Sequence, residues 1–276
     1  LPMTVITMTR EMGSLGKDVA SGVAETLGLQ VVYHEVIERD IADRMKLGES
    51  DVNRFLEGKP ALSDRLKIDK DQLSHYTAEE IYDIALEDKA VIRGWGAIVL
   101  LRSVPHILRV RVCAPMSFRV RVMQDRLGLE NEQDVRREIE RNDAAHTRAV
   151  HGLLKSDWQG PLNYDLVMNT ERVPVSDCVR QVVALAGSTA FEKTTSSQQI
   201  LSDLIVEHRV RNAIASKEDL AISVRNVDIS FGDGELVLTG LIENRKIGQA
   251  LYQELKGISG VNSIIDHLTV VSAYQG

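Results

Sequence analysis

Val5-Ile6-Thr7-Met8-Thr9-Arg10-Glu11-Met12-Gly13-Ser14-Leu15-Gly16-Lys17-Asp18 decides the reading of this chain. An apolar run of strand length feeds a turn with two glycines, and a lysine follows where a helical pattern begins. Such a succession suits the cradling of phosphate. Backbone N–H groups line the turn, the helix start presents partial positive charge, and Lys17 adds a mobile cation. The pattern G-x-x-x-x-G-K-[ST] is met at Gly16 and Lys17, but Glu11 stands where it has glycine and Asp18 where it has a hydroxyl. Gly13, Ser14, Leu15, Gly16, Lys17 and Asp18 are therefore the candidate phosphate-binding residues.

Working outward, residues 1–187 alternate short apolar strands with amphipathic helices. Ala20, Val23, Ala24 and Leu27 share a helix face that Gly28 closes. Gln30–Tyr33, Ala90–Ile92, Leu108–Val112 and Asp165–Met168 read as strands, with helices through Ile37 and Ile41 and through Cys178, Val182 and Val183. This alternation predicts an α/β fold, a parallel sheet flanked by helices on both faces. Two polar, charge-rich regions interrupt it. Residues 46–88, with Leu66-Lys67-Ile68-Asp69-Lys70-Asp71, read as a helical insertion, and residues 126–160 as a lid.

Near residue 187 the grammar changes. Residues 188–199 are polar and without period, and are expected to form a linker. Beyond it, residues 200–273 predict a small α+β module of order αββαβ. Its helix carries Val206, Val210, Ala213 and Ile214, its hairpin turns at Gly232-Asp233-Gly234, and a second helix carries Ile247, Ala250, Leu251 and Leu255 before a last strand.

Composition narrows the function classes. The 276 residues are 43% hydrophobic and 26% charged, enough for real cores in a soluble protein. A net charge of −7 with a pI near 5.6 and only 4% aromatics argues against a nucleic-acid partner. Cys113 and Cys178 lie in apolar segments without metal-ligand spacing, reading as reduced, buried thiols. The absence of a signal-peptide pattern and of a long apolar run completes the expectation of a cytoplasmic protein, with no membrane association expected.

Several ordered segments carry a family resemblance: the opening stretch, then Val91-Ile92-Arg93-Gly94-Trp95-Gly96-Ala97, Arg109 to Arg119, Glu140-Arg141-Asn142-Asp143 and Asn163 to Thr170. Together residues 3–186 resemble cytidylate kinase-like proteins, a branch of the P-loop nucleoside monophosphate kinases. The resemblance implies an ATP- and Mg2+-using phosphotransferase acting on a nucleoside monophosphate or a related small phosphate acceptor. In it, Lys17, Arg119, Arg141 and Arg148 would be catalytic, and His34, Arg93 and Asp143 would bind the acceptor. Asp18 or Ser14 would ligate the metal, which favours oxygen donors. Three positions depart from the family pattern: Trp95 replaces an arginine, His34 an aspartate and His146 a lid arginine. Each removes charge complementarity to a phosphate acceptor, so a catalytically degenerate nucleotide-binding sensor stands as the alternative. Trp158 is expected to pack the lid, and His75, His106, His151, His208 and His267 to be surface or core-edge residues.

The C-terminal module resembles a BON domain, on Asp233 to Gly240 and Gly257 to Ile264. That resemblance implies a regulatory role, with a small-molecule ligand or a partner protein bound there. A homo-oligomer stays open.

Overall fold

The run from Val5 to Met8 becomes the middle of a sheet because both of its faces are covered. Val5, Ile6, Thr7 and Met8 are all fully buried in the computed structural model, which describes residues 4–56, 70–128 and 130–271. A continuous apolar run of this kind is the signature of a parallel strand buried on two sides. Strand β1 (Thr4–Arg10) pairs with β3 (Lys89–Arg93) on one side and β4 (Leu108–Cys113) on the other. Strands β2 (Gln30–Tyr33) and β5 (Leu166–Asn169) complete a five-stranded parallel sheet of order β2-β3-β1-β4-β5.

Helix α1 (Gly16–Leu27) lays Val19, Ala20, Val23 and Ala24 on this sheet and ends at Gly28, whose φ of 68° suits a left-handed cap. Helix α8 (Val175–Ala186) packs beside it through Cys178, Val182 and Ala186, sharing one core with Ile6, Met8, Leu108, Val110 and Val112. The intervening helices are α2 (His34–Met45), α3 (Glu49–Leu56), α4 (Lys70–Glu87), α5 (Trp95–Leu100), α6 (Met116–Leu127) and α7 (Glu132–Leu154). The parallel α/β architecture expected from the sequence is thus the one observed. Within the 46–88 insertion, α3 and α4 are helical, whereas Leu66, Lys67, Ile68 and Asp69 lie outside the described residues. Most of the 126–160 region is a single helix, α7, capped by the Asn131 side chain, which accepts from the Gln133 amide.

By density of internal packing the chain divides at Thr194/Thr195. The stretch 188–199, expected as a linker, carries a 3-10 turn at Thr189–Phe191 and, from Thr195, the start of helix α9 (Thr195–Ala215). Lys193 pairs with Asp88, which is buried just before β3, so the end of the first unit is tied to its sheet. His106, beside that pair, is buried rather than superficial, and burial pushes its imidazole below the usual range.

The second unit continues with α10 (Glu218–Ser223), β6 (Val227–Gly232), β7 (Glu235–Ile242), α11 (Arg245–Leu255) and β8 (Ser263–Val270). Strands β6 and β7 form an antiparallel hairpin, and β8 joins β7 in parallel after α11 crosses over. Asp233 and Gly234 both have positive φ, as a tight Asp-Gly hairpin turn requires. Val210, Leu236, Leu238, Leu251 and Leu255 form the core of this unit. The extra helix α10 corrects the expected αββαβ order. It spans six residues, too few for a helical period to show, yet it contributes Leu220 and Ala221 to that core.

Leu108 is fully buried on β4 between two neighbouring strands. Leu108→Ala is expected to cost the first unit about 2–5 kcal/mol, read as a lowered urea midpoint. A midpoint unchanged from wild type would contradict a core centred there.

Candidate functional site

At the carboxyl end of β1 the chain turns sharply and is pinned at several points. The Glu11 amide donates to the Val112 carbonyl at 3.1 Å, and the Ser14 amide to the Glu11 carbonyl at 3.1 Å. Gly13 (φ 81°) and Leu15 (φ 58°) are left-handed, and the chain then enters α1 at Gly16. A Cβ at Gly13 would stand 2.6 Å from the Arg119 carbonyl oxygen, and one at Gly16 would stand 2.5 Å from Arg10 Cβ. Both positions thus exclude a side chain, and the turn lies tight against the start of α6. Leu15 provides no side-chain cap, so no side-chain oxygen of that residue occupies the first amides of α1. Lys17 and Asp18 stand exposed on the first turn, with Asp18 3.4 Å from Arg126 Nη2. The turn therefore brings a helix start and an exposed lysine to the carboxyl edge of a parallel sheet, where ligands of such folds bind.

Ser14 does not fit the metal role considered for it. Its hydroxyl is fully buried and donates to the Val112 carbonyl at 3.1 Å, while its own carbonyl accepts from Thr170 Oγ1 at 2.7 Å. The side chain is spent on holding the turn to β4. Asp18 is left as the oxygen donor at the helix start.

Beneath the turn lies a cluster of charge. Arg111 enters from β4, and its Nη2 donates to Glu11 Oε1 at 2.8 Å and its Nη1 to the Trp158 carbonyl at 2.9 Å. Its guanidinium lies 4.5 Å from the Trp158 ring centroid, a cation–π distance. Tyr164 donates to the same Trp158 carbonyl and accepts from Thr9 Oγ1 at 3.0 Å. Arg119, from the first turn of α6, is only 4% exposed in its side chain. Its Nη1 and Nη2 both donate to Asp143 Oδ2, at 2.9 and 2.6 Å, and Nη1 lies 3.6 Å from Glu11 Oε2. Glu11 Oε2 also accepts from the Ala114 amide at 3.2 Å. Two guanidiniums are thus matched by two carboxylates.

Burial is the largest influence on Asp143 and pushes its carboxyl up to about 6; the Arg119 guanidinium acts against the rise and the Glu11 carboxylate adds to it. Burial likewise raises the Cys113 thiol, which is half-buried rather than buried as expected.

The structure gathers only part of the expected site. Gly13, Arg119 and Asp143 come together, but Asp143, read as an acceptor ligand, is spent on Arg119. Arg141 and Arg148 lie exposed along α7, where with Arg137, Glu140 and Ala144 they line a cavity of about 420 Å3. Arg93 ends β3, buried, with its guanidinium 4.3 Å from the Tyr33 ring centroid. The backbones of His34 and Trp95 open α2 and α5, while their side chains lie outside the described residues. Sequence reasoning missed Arg111 and Arg137 and assigned Glu11 no partner. The signal for Arg111 was present: a charge inside an otherwise apolar, two-sided strand demands a buried counter-charge.

A turn of this geometry between the central strand and first helix of a parallel sheet defines a P-loop kinase-like α/β protein. The chain belongs to the cytidylate kinase-like family, whose model matches residues 5–172. It is 30% identical over 184 residues to the cytidylate kinase of Natronomonas pharaonis, covering 66% of this chain and 88% of that protein. With the cytidylate kinase of Methanopyrus kandleri it shares 27% over 177 residues, 61% and 85% of the two chains. A solved structure of an uncharacterized protein from Eubacterium ventriosum shares the fold, with a TM-score of 0.53 at 16% identity over 67% of this chain and 99% of that one.

The raised Asp143 carboxyl has a definite consequence for stability. Since its folded-state value lies above the ordinary 3.8, its contribution is fully present below that pH and is lost as pH rises through about 6. Wild type is therefore expected to lose urea stability relative to Asp143→Asn across that window. Parallel pH profiles for the two chains would count against it.

Proposed function

We propose that the first unit is an ATP-dependent phosphotransferase acting on a nucleoside monophosphate or a related small acceptor. The observation that carries the reading is the Gly13–Gly16 turn, which leaves the central strand with left-handed Gly13 and Leu15 and enters α1 beside the exposed Lys17. Lys17 and these amides would hold the donor phosphates, and Asp18 would serve as the oxygen ligand for Mg2+, which when bound neutralises phosphate charge. Arg141 and Arg148, with Arg137, supply a cationic cavity on α7 suited to an anionic acceptor, and Arg119 stands against the turn. Since phosphoryl transfer needs positioning and charge neutralisation more than covalent help, this inventory suffices.

The second unit is read as a regulatory BON module. Its support is the framework of α9, the β6–β7 hairpin, α11 and β8, with α10 inserted, and a cavity of about 310 Å3 lined by Asp203, Phe231, Asp233 and Asn262 among others, roomy enough for a small ligand. A second reading, a nucleotide-binding sensor without turnover, is favoured by one observation: both η nitrogens of Arg119 are already taken by Asp143.

The test is ADP formation with ATP, Mg2+ and a panel of nucleoside monophosphates, beside calorimetric titration with ATP. Turnover that falls about 100-fold or more in Lys17→Ala is the expected result. Tight ATP binding with no turnover on any acceptor would establish the sensor instead, and neither binding nor turnover would remove both readings.

A further inference from the structure

We propose that Glu11 is a positioning residue for phosphoryl transfer, fixing the guanidinium groups of Arg119 and Arg111 against the phosphate turn; the assignment rests on the kinase reading above. Glu11 stands where the phosphate-binding pattern has glycine, and its side chain does what glycine would leave undone. Three donors converge on its carboxylate from three places. They are Arg111 Nη2 on β4 at 2.8 Å, the Ala114 amide after β4 at 3.2 Å, and Arg119 Nη1 on α6 at 3.6 Å.

Its backbone is equally committed, the amide to Val112 and the carbonyl to Ser14. Side chain and turn are therefore one rigid piece, and a displacement of either moves the other. Through its two arginine partners Glu11 also reaches the elements that cover the site. Arg111 holds the Trp158 carbonyl, and Arg119 holds Asp143 of α7.

The polar accounting of Arg119 shows what this positioning leaves available. Its η nitrogens are occupied by Asp143 and lie against Glu11, while its Nε is buried with no hydrogen-bond partner. A buried guanidinium nitrogen left unpaired is costly, and the residue that carries it packs its backbone carbonyl against Gly13 of the turn. Nε is the donor left for an incoming phosphoryl oxygen, with the η nitrogens engaged by Asp143 and lying against Glu11. Glu11 touches neither donor nor acceptor in this scheme and acts through Arg119.

A double-mutant cycle on the full chain tests this, using wild type, Glu11→Gln, Arg119→Lys and the double variant. ADP formation is followed with ATP, Mg2+ and cytidine monophosphate as the probe acceptor. Glu11→Gln is expected to lower kcat about 10- to 100-fold while KM for ATP stays within about threefold, the mark of misplacement rather than lost binding. The double variant is expected to be no more than about twofold slower than Arg119→Lys alone, because the loss passes through the arginine. Losses that multiply would overturn the role, as would a wild-type kcat in Glu11→Gln. Glu11→Asp, which keeps the charge on a shorter arm, takes its place in the cycle if the glutamine chain does not fold. A wild-type chain that binds ATP and transfers phosphate to no acceptor overturns the kinase reading itself, an outcome distinct from multiplicative losses in an active wild type.

Discussion

Burying two guanidiniums is the constraint around which the first unit is arranged. A cation taken out of water costs several kcal/mol unless opposite charge and hydrogen bonds meet it. Arg111 and Arg119 are both nearly inaccessible, so each must be met from within the protein. Glu11 answers from the turn after β1, Asp143 from α7, and the Trp158 carbonyl from the segment after α7. Segments far apart in the chain are thereby made to agree on one geometry. Hydrophobic burial against the sheet is non-directional and tolerates small shifts, whereas this cluster does not. The apolar core sets where the helices lie, and the charged cluster sets how the turn, the start of α6 and the middle of α7 are aligned.

Much of the fold was legible because the relevant signals are local. Val5–Met8, Leu108–Val112 and the glycine turn announce themselves by apolar runs and backbone demands, and Gly28 closes α1 as its position in the sequence implies. What escaped was short or depended on distant partners. Helix α10 is too brief for a period to register. The polar stretch before Thr195 reads as linker because its tether, the pairing of Lys193 with Asp88, joins residues about a hundred positions apart. Ser14 illustrates the same limit at the site. A hydroxyl in a phosphate turn is chemically fit for a metal, and only the register between the turn and β4 shows that it is consumed by Val112.

The charged residues of the site divide by burial in a way composition does not disclose. Arg119 and Arg141 look alike in the sequence, each inside a helical segment of mixed charge. One is sealed against two carboxylates, and the other stands 72% exposed with an i,i+3 partner, Glu138. The first kind of arginine gives geometry and the second gives an open electrostatic field. Both are useful to a protein that handles phosphate, and they answer differently to salt, because screening reaches exposed charges and largely spares buried ones.

The placement of α8 against α1 has a consequence for the order in which the protein is made. The glycine turn and α1 leave the ribosome well before the segments they pack against. Yet β1 waits for β3 and β4 as neighbours, and the apolar face of α1 waits for Cys178, Val182 and Ala186. Local helix alone is marginal in water, and long-range parallel pairing is slow to close. The emerging chain therefore carries an uncovered amphipathic helix until α8 has been made. The turn after β1 is written before its partners and is completed only when α8 docks.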